Sequence, residues 1–261
     1  MVSQGSIIMM AVVMIIGLII PAALCIYFKK KYNCSLKAFF IGCGVMFLFA
    51  LTLEQLVHML VLTSPAGVAI QNNIWLYGLY GGFMAGLFEE TGRFVAFKLL
   101  FKKERENDCN GLMYGAGHGG FEAFYLLTVA MATYLSYAMT INAGQVETLL
   151  ASVPAESQGA MIGIIASLTE TAPAMYLVSI VERGAAVIAQ LGLSVLVWFA
   201  VKNVKKIWLF PLAIVLHMLL DLVAVVVNGL TQNVVLVEVL VWVMAIGIIT
   251  FARYIWKKNK A

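Results

Sequence analysis

The sequence predicts an all-α protein, a polytopic transmembrane helix bundle of about seven transmembrane helices with the N-terminus outside and the C-terminus in the cytoplasm. Three observations predict it. Of 261 residues, 62% are hydrophobic and only 11% are charged, whereas a soluble domain carries about 25% charged residues. Apolar runs of the roughly 20 residues needed to cross a hydrocarbon core recur along the whole chain. Finally, the basic residues gather in clusters that a seven-helix path places on one side of the membrane.

The helices are expected at about 6–28, 36–62, 74–101, 110–137, 174–201, 208–228 and 234–256. The first apolar run, Ile7 to Phe28, has no basic residue before it and Lys29, Lys30 and Lys31 after it. A secretory signal has the opposite polarity and a shorter core, so this run reads as an anchor that stays. The basic clusters are Lys29–Lys31 with Lys37; Lys98, Lys102, Lys103 and Arg105; Lys202, Lys205 and Lys206; and Arg253, Lys257, Lys258 and Lys260. They hold 15 of the 17 Lys and Arg residues, and the other two, Arg93 and Arg183, fall inside helices. Lys and Arg stay preferentially in cytoplasmic loops, which sets the orientation.

The longest outer segment, about 138–173, carries Glu147, Glu156 and Glu170 with Pro154 and Pro173. Its apolar stretch, Met161 to Leu168, is too short to span, so surface or re-entrant helices and a plain connecting loop both remain open. Cys25, Cys34, Cys43 and Cys109 lie within helices or near cytoplasmic helix ends and read as free thiols. Trp75, Trp208 and Trp256 stand at helix boundaries as interface anchors. One integral membrane domain accounts for residues 1–261, leaving no room for a soluble domain. The positive balance of +4 belongs to the loop clusters, so no nucleic-acid partner is expected and membrane lipid is.

A charge at mid-bilayer costs about 2.5–3.5 kcal/mol on insertion scales. The chain nonetheless keeps Glu54, His58, Glu89, Glu90, Arg93, His118, Glu122, Glu182, Arg183, His217 and Asp221 inside its apolar runs. At about 1.5 Å per residue, Glu89, His118, His217 and Asp221 share a layer on three helices, a third to halfway across. Glu54, Glu182 and Arg183 fall nearer the outer face, where Arg183 is expected to be neutralised by Glu182 or Glu54. Within helices, Glu89 and Arg93, His118 and Glu122, and His217 and Asp221 are each four apart and share a face. Glycines 78, 81, 82 and 86 precede the carboxylates, and glycines 111, 115, 117, 119 and 120 surround His118. Small residues let membrane helices approach closely, so the third and fourth helices are expected to pack together and bring Glu89 to His118.

A carboxylate beside a histidine in a confined site can take a proton from water. A second histidine can donate to a developing oxyanion. That combination describes hydrolysis of an amide by activated water. No serine or cysteine stands in this layer at nucleophile-and-base spacing from a histidine, and the zinc-protease signature His-Glu-x-x-His is absent. No cofactor is expected, although His118 and His217 with Glu89 or Asp221 could ligate a metal. Buried acids and histidines also serve proton-coupled transporters and channels, and a non-catalytic relative that binds a peptide or lipid, for example in immunity, is a third reading. Transporters often show internal repeats, and the two halves of this chain show none.

Three segments, Glu89-Glu90-Thr91-Gly92-Arg93, Tyr114-Gly115-Ala116-Gly117-His118 and His217-Met218-Leu219-Leu220-Asp221, resemble in order the motifs of the CAAX-protease-type (CPBP) glutamic intramembrane endopeptidases. More closely, Gly115-x-Gly117-His118-Gly119-Gly120-x-Glu122 and Glu182-Arg183-Gly184-Ala185 resemble the YhfC branch of bacterial membrane peptidases, related to the PrsW proteases. The resemblance covers about 75–225 and makes that stretch the peptidase core. It implies an intramembrane peptidase of a bacterial cytoplasmic membrane, a hydrolase acting on a membrane protein or peptide. Glu89 would activate water, Glu90 and Arg93 would hold it in place, His118 would match the second-motif histidine, and His217 with Asp221 would bind the oxyanion or orient the substrate. Glu122, Glu182, Arg183, Gln190 and Glu54 would support them. The first motif is one residue shorter than in the prenyl-protein proteases, Asp221 stands where many relatives have asparagine, and Gln190 stands where a PrsW-like chain would have histidine.

Overall fold

Lipid offers no hydrogen bonds to a backbone, so apolar runs of this length must satisfy their amides internally as helices. The computed structural model describes residues 1–259, apart from the side chain of Glu156, and Lys260 of the fourth basic cluster lies outside the described residues. Its helices are α1 Gln4–Tyr32, α2 Leu36–Leu62, α3 Pro65–Gln71, α4 Ile74–Leu99, α5 Cys109–Asn142, α6 Val146–Ala151, α7 Gln158–Glu170, α8 Val178–Lys202, α9 Leu209–Thr231 and α10 Val234–Asn259. No strand occurs among the described residues. The architecture is an all-α polytopic bundle.

Six of these helices are long and apolar enough to cross a membrane: α1, α2, α5, α8, α9 and α10. Helix α4 has 26 residues, but its glycines, tyrosines and paired carboxylates leave it less apolar than the others. Its start is fixed by Asn73, whose side chain accepts from the amides of Trp75 and Leu76 at 3.0 and 3.2 Å. Helices α2 and α5 each contain a π-helical stretch, Met46–Glu54 and Tyr125–Ala130. Such widened turns re-aim side chains and are frequent at functional sites. The first of them ends on Glu54.

The chain forms two compact units. One comprises Met1–Ile20 and Ala123–Arg183. In it Asn142 clamps the chain start, accepting from the Val2 amide at 2.7 Å and donating to the Val2 carbonyl at 2.9 Å. The segment 138–173, open between helices and loop from sequence, is mostly helical, formed by the end of α5 with α6 and α7. Arg183 donates to its neighbour Glu182 at 2.6 Å.

The other unit comprises Pro21–Glu122 and the chain from Gly184 onward. Its core includes an aromatic group of Phe97, Phe101, Tyr114 and Trp198, with Phe97 and Tyr114 centroids 4.6 Å apart. The glycine rows act differently from the sequence expectation. Gly78, Gly82 and Gly86 line α4 where α9 crosses it; a Cβ at Gly82 would lie 2.5 Å from the Met218 carbonyl, and one at Gly86 would lie 2.7 Å from that of Ile214. On α5, Gly117 lies against the Phe39 backbone of α2, while Gly115 and Gly119 face Ser194 and Gln190 of α8. Each row lets a different neighbour approach, because a helix carries glycines on more than one face. Glu89 still meets His118, but α9, α2 and α8 are the helices that the glycines admit.

A second correction concerns the cysteines. Cys25 and Cys43 are free, as expected, but Cys34 and Cys109 form a disulfide with Cα atoms 5.6 Å apart. They are 75 positions apart in sequence, and only the packing of α2 beside α5 brings them together. The Ser35 amide donates to Asn110 at 2.9 Å at the same junction.

Candidate active site

Ionised groups taken out of water must be paired or hydrogen-bonded, and the second unit buries several together. Glu90, Arg93 and His118 have no exposure, and Glu89, Gln190 and His217 have 3–6%. They come from four helices. The i, i+3 and i, i+4 spacing on α4 sets Glu89, Glu90 and Arg93 on adjoining faces, α5 supplies His118, α8 Gln190 and α9 His217.

The two adjacent carboxylates are bound quite differently. Glu90 is held as an ion pair, both of its oxygens accepting from Arg93 Nη1 at 2.8 and 2.7 Å. Its Oε1 also meets His217 Nδ1 at 2.9 Å. Glu89 touches no guanidinium hydrogen; its Oε2 accepts from His118 Nε2 and from the Gln190 amide, both at 2.8 Å. His217 Nε2 lies 4.0 Å from that same oxygen and 3.7 Å from Asp221 Oδ2. Because Glu90 fixes Nδ1, the ring presents Nε2 to the Glu89 side.

Gln190 joins the two halves. Its carbonyl oxygen accepts from Arg93 Nη2, and its NH₂ donates to Glu89 and, at 3.2 Å, to Glu122. An amide has both an acceptor and two donor hydrogens on one end group, whereas a histidine here could not accept from Arg93 while donating to both carboxylates. The departure at Gln190 thus has a structural reason. Tyr114, the aromatic of the second motif, stacks on His118 with centroids 5.8 Å apart.

Among the residues singled out from sequence, Glu89, Glu90, Arg93, His118, Gln190, Glu122, His217 and Asp221 are brought together. Glu54 belongs to the same unit and is buried, but its partner is His58, with Nε2 at 3.1 Å. Glu182 and Arg183 pair with each other in the other unit. The sequence offered no sign of Tyr80, whose hydroxyl meets His58 Nδ1 at 3.0 Å, because it stands on another helix outside every motif.

The model of the YhfC intramembrane metalloprotease family matches residues 15–241. The chain belongs to this family. It is also 38% identical over 248 residues, covering 94% of each chain, to a protein of Bacillus subtilis (strain 168) named uncharacterized membrane protein YhfC. No solved structure matches. Together with the six apolar helices, this makes the chain a multi-pass membrane protein of a family described as intramembrane proteases.

The family description includes a metal. The donor types around Glu89 suit zinc, which takes histidine nitrogen and carboxylate oxygen. Their arrangement does not: Glu89 Oε2 already accepts two N–H groups, and no group of three or more His, Cys, Asp or Glu among the described residues is placed to hold a metal ion.

Proposed function

We propose that this YhfC-family chain is a glutamic-type intramembrane endopeptidase that hydrolyses peptide bonds of membrane-associated substrates with water activated by Glu89. The observation that carries this reading is the unequal treatment of two neighbouring carboxylates. Arg93 and His217 occupy Glu90 as a structural ion pair, while Glu89 is oriented through Oε2 by His118 and the Gln190 amide. A base must be held in place without its proton-accepting capacity being consumed. Glu89 meets that requirement through Oε1.

In this scheme Glu89 takes a proton as water attacks the scissile carbonyl. His217 Nε2, its ring locked by Glu90, donates to the oxyanion, and Asp221 orients that ring rather than donating. The basic clusters support a site on the cytoplasmic half of the bilayer. Peptides embedded in or lying on the membrane are the substrates.

The test is cleavage of a tagged membrane-peptide library by the purified protein in liposomes, with and without a chelator. Cleavage that persists unchanged in chelator is expected. Cleavage lost in chelator and restored by zinc would keep the peptidase but replace the glutamic mechanism with a metal held by Glu89, His118 and His217. No cleavage in either condition would overturn the peptidase reading.

A further inference from the structure

Cys34 and Cys109 form a disulfide where the chain enters α2 and α5. The basic residues beside them, Lys29–Lys31 and Lys37 around Cys34 and Lys102, Lys103 and Arg105 before Cys109, support a cytoplasmic position for the bond. The cytoplasm keeps thiols reduced, so a disulfide there is usually transient, catalytic or redox-sensing rather than a permanent staple. The bond is also reachable from one side. Cys34 has no exposure and Cys109 has 7%, and Cys109 lines a cavity of about 580 Å³ with Glu106, Asn107, Asp108, Lys202 and Trp256.

The bond ties together the two helices whose contact surrounds His118. A Cβ at Gly42 of α2 would lie 2.8 Å from the His118 amide nitrogen, and one at Gly117 of α5 would lie 2.8 Å from the Phe39 carbonyl carbon. The Cys43 thiol donates to the Gly117 carbonyl at 3.3 Å. His118 stands nine residues after Cys109, about 14 Å along α5, and its Nε2 meets Glu89 at 2.8 Å. The covalent tie therefore closes one end of the interface that seats a histidine of the site. Asn110 accepts from the Ser35 amide at 2.9 Å and donates to the Glu104 carbonyl at 3.2 Å. Neither contact involves a sulfur, so opening the disulfide loosens the junction without taking it apart.

We infer that Cys34 and Cys109 are a redox-sensitive lock on the α2–α5 junction, closed as the disulfide and opened by a dithiol reductant from the cytoplasmic side. Its effect on turnover rests on the peptidase reading above; the lock itself does not. In opening, a thiolate of the reductant attacks the Cys109 sulfur from the cavity. The S–S bond breaks, and its electron pair leaves on the Cys34 sulfur, which takes a proton. The second thiol of the reductant then attacks its partner sulfur in the mixed disulfide and releases Cys109, which is protonated in turn. Two electrons and two protons pass from the dithiol to the protein, and the reductant leaves as a disulfide. Closing is the reverse, with a disulfide of the same class as oxidant.

The experiment titrates the purified protein in liposomes with dithiothreitol, reoxidises it with diamide, and counts free thiols by maleimide mass shift after denaturation. Hydrogen exchange and kcat are followed in each state. The oxidised protein is expected to take two labels, on Cys25 and Cys43, and the reduced but still folded protein four. Reduction should speed exchange of the amides at 36–45 and 110–118 and lower kcat about 10-fold, both reversed on reoxidation. Cys34→Ser and Cys109→Ser should show the reduced values in either condition. Four free thiols after oxidation, a bond that yields only when the protein unfolds, or equal exchange in the two states would overturn the lock. Equal kcat in the two states would overturn its control of turnover. A wild type that cleaves nothing in either state would overturn the peptidase reading, and the thiol count and exchange would still decide the lock.

Discussion

Glu89→Gln is expected to abolish cleavage, lowering kcat by at least about 10³-fold, while the protein folds and melts as wild type. The glutamine has the same shape, and its carbonyl oxygen can still accept from His118 Nε2 and Gln190, the two donors that fix Glu89 at 2.8 Å. What it lacks is a group that can take a proton from water. Catalysis and folding therefore separate at this position. Melting in detergent alongside single-turnover cleavage checks both halves, and a variant that retains cleavage would remove Glu89 from the mechanism.

Arg93→Met is expected to have the opposite signature, a loss of stability of about 3–5 kcal/mol. Arg93 is fully buried and binds Glu90 through Nη1 and Gln190 through Nη2. Removing it leaves the Glu90 carboxylate, also without exposure, with His217 Nδ1 as its remaining partner, and frees Gln190 from one side. Arg93→Lys should recover only part of this, since a single ammonium cannot reproduce a planar fork that meets two partners at once. Reversible unfolding in detergent measures the effect, and wild-type stability in Arg93→Met would contradict the assigned structural role.

The helical bundle was legible from the sequence because apolar length and missing charge are local properties. The layer of Glu89, His118 and His217 was legible because buried charge is expensive enough to be rare, and each residue could be placed by its depth along a helix. What lay beyond reach depended on which helix faces meet. The glycines near Glu89 announced close packing but not that α9 would be the neighbour. Cys34 and Cys109 sit at helix ends whose adjacency no spacing encodes. Gln190 looked like a departure from a pattern, and only three-dimensional placement shows it joining Arg93, Glu89 and Glu122. Glu54 was expected by depth in one layer with Glu182 and Arg183, and in the fold it bonds to His58, one turn along α2.

The division of labour between the two neighbouring carboxylates is the point on which the mechanism stands. Single-turnover cleavage by wild type, Glu89→Gln and Glu90→Gln in one assay, with melting followed in parallel, tests it most directly. The expected result is a Glu89→Gln protein that melts as wild type and does not cleave, beside a Glu90→Gln protein that is less stable but still turns over. A cleaving Glu89→Gln protein, or a stable and inactive Glu90→Gln protein, would contradict it and move the base to Glu90.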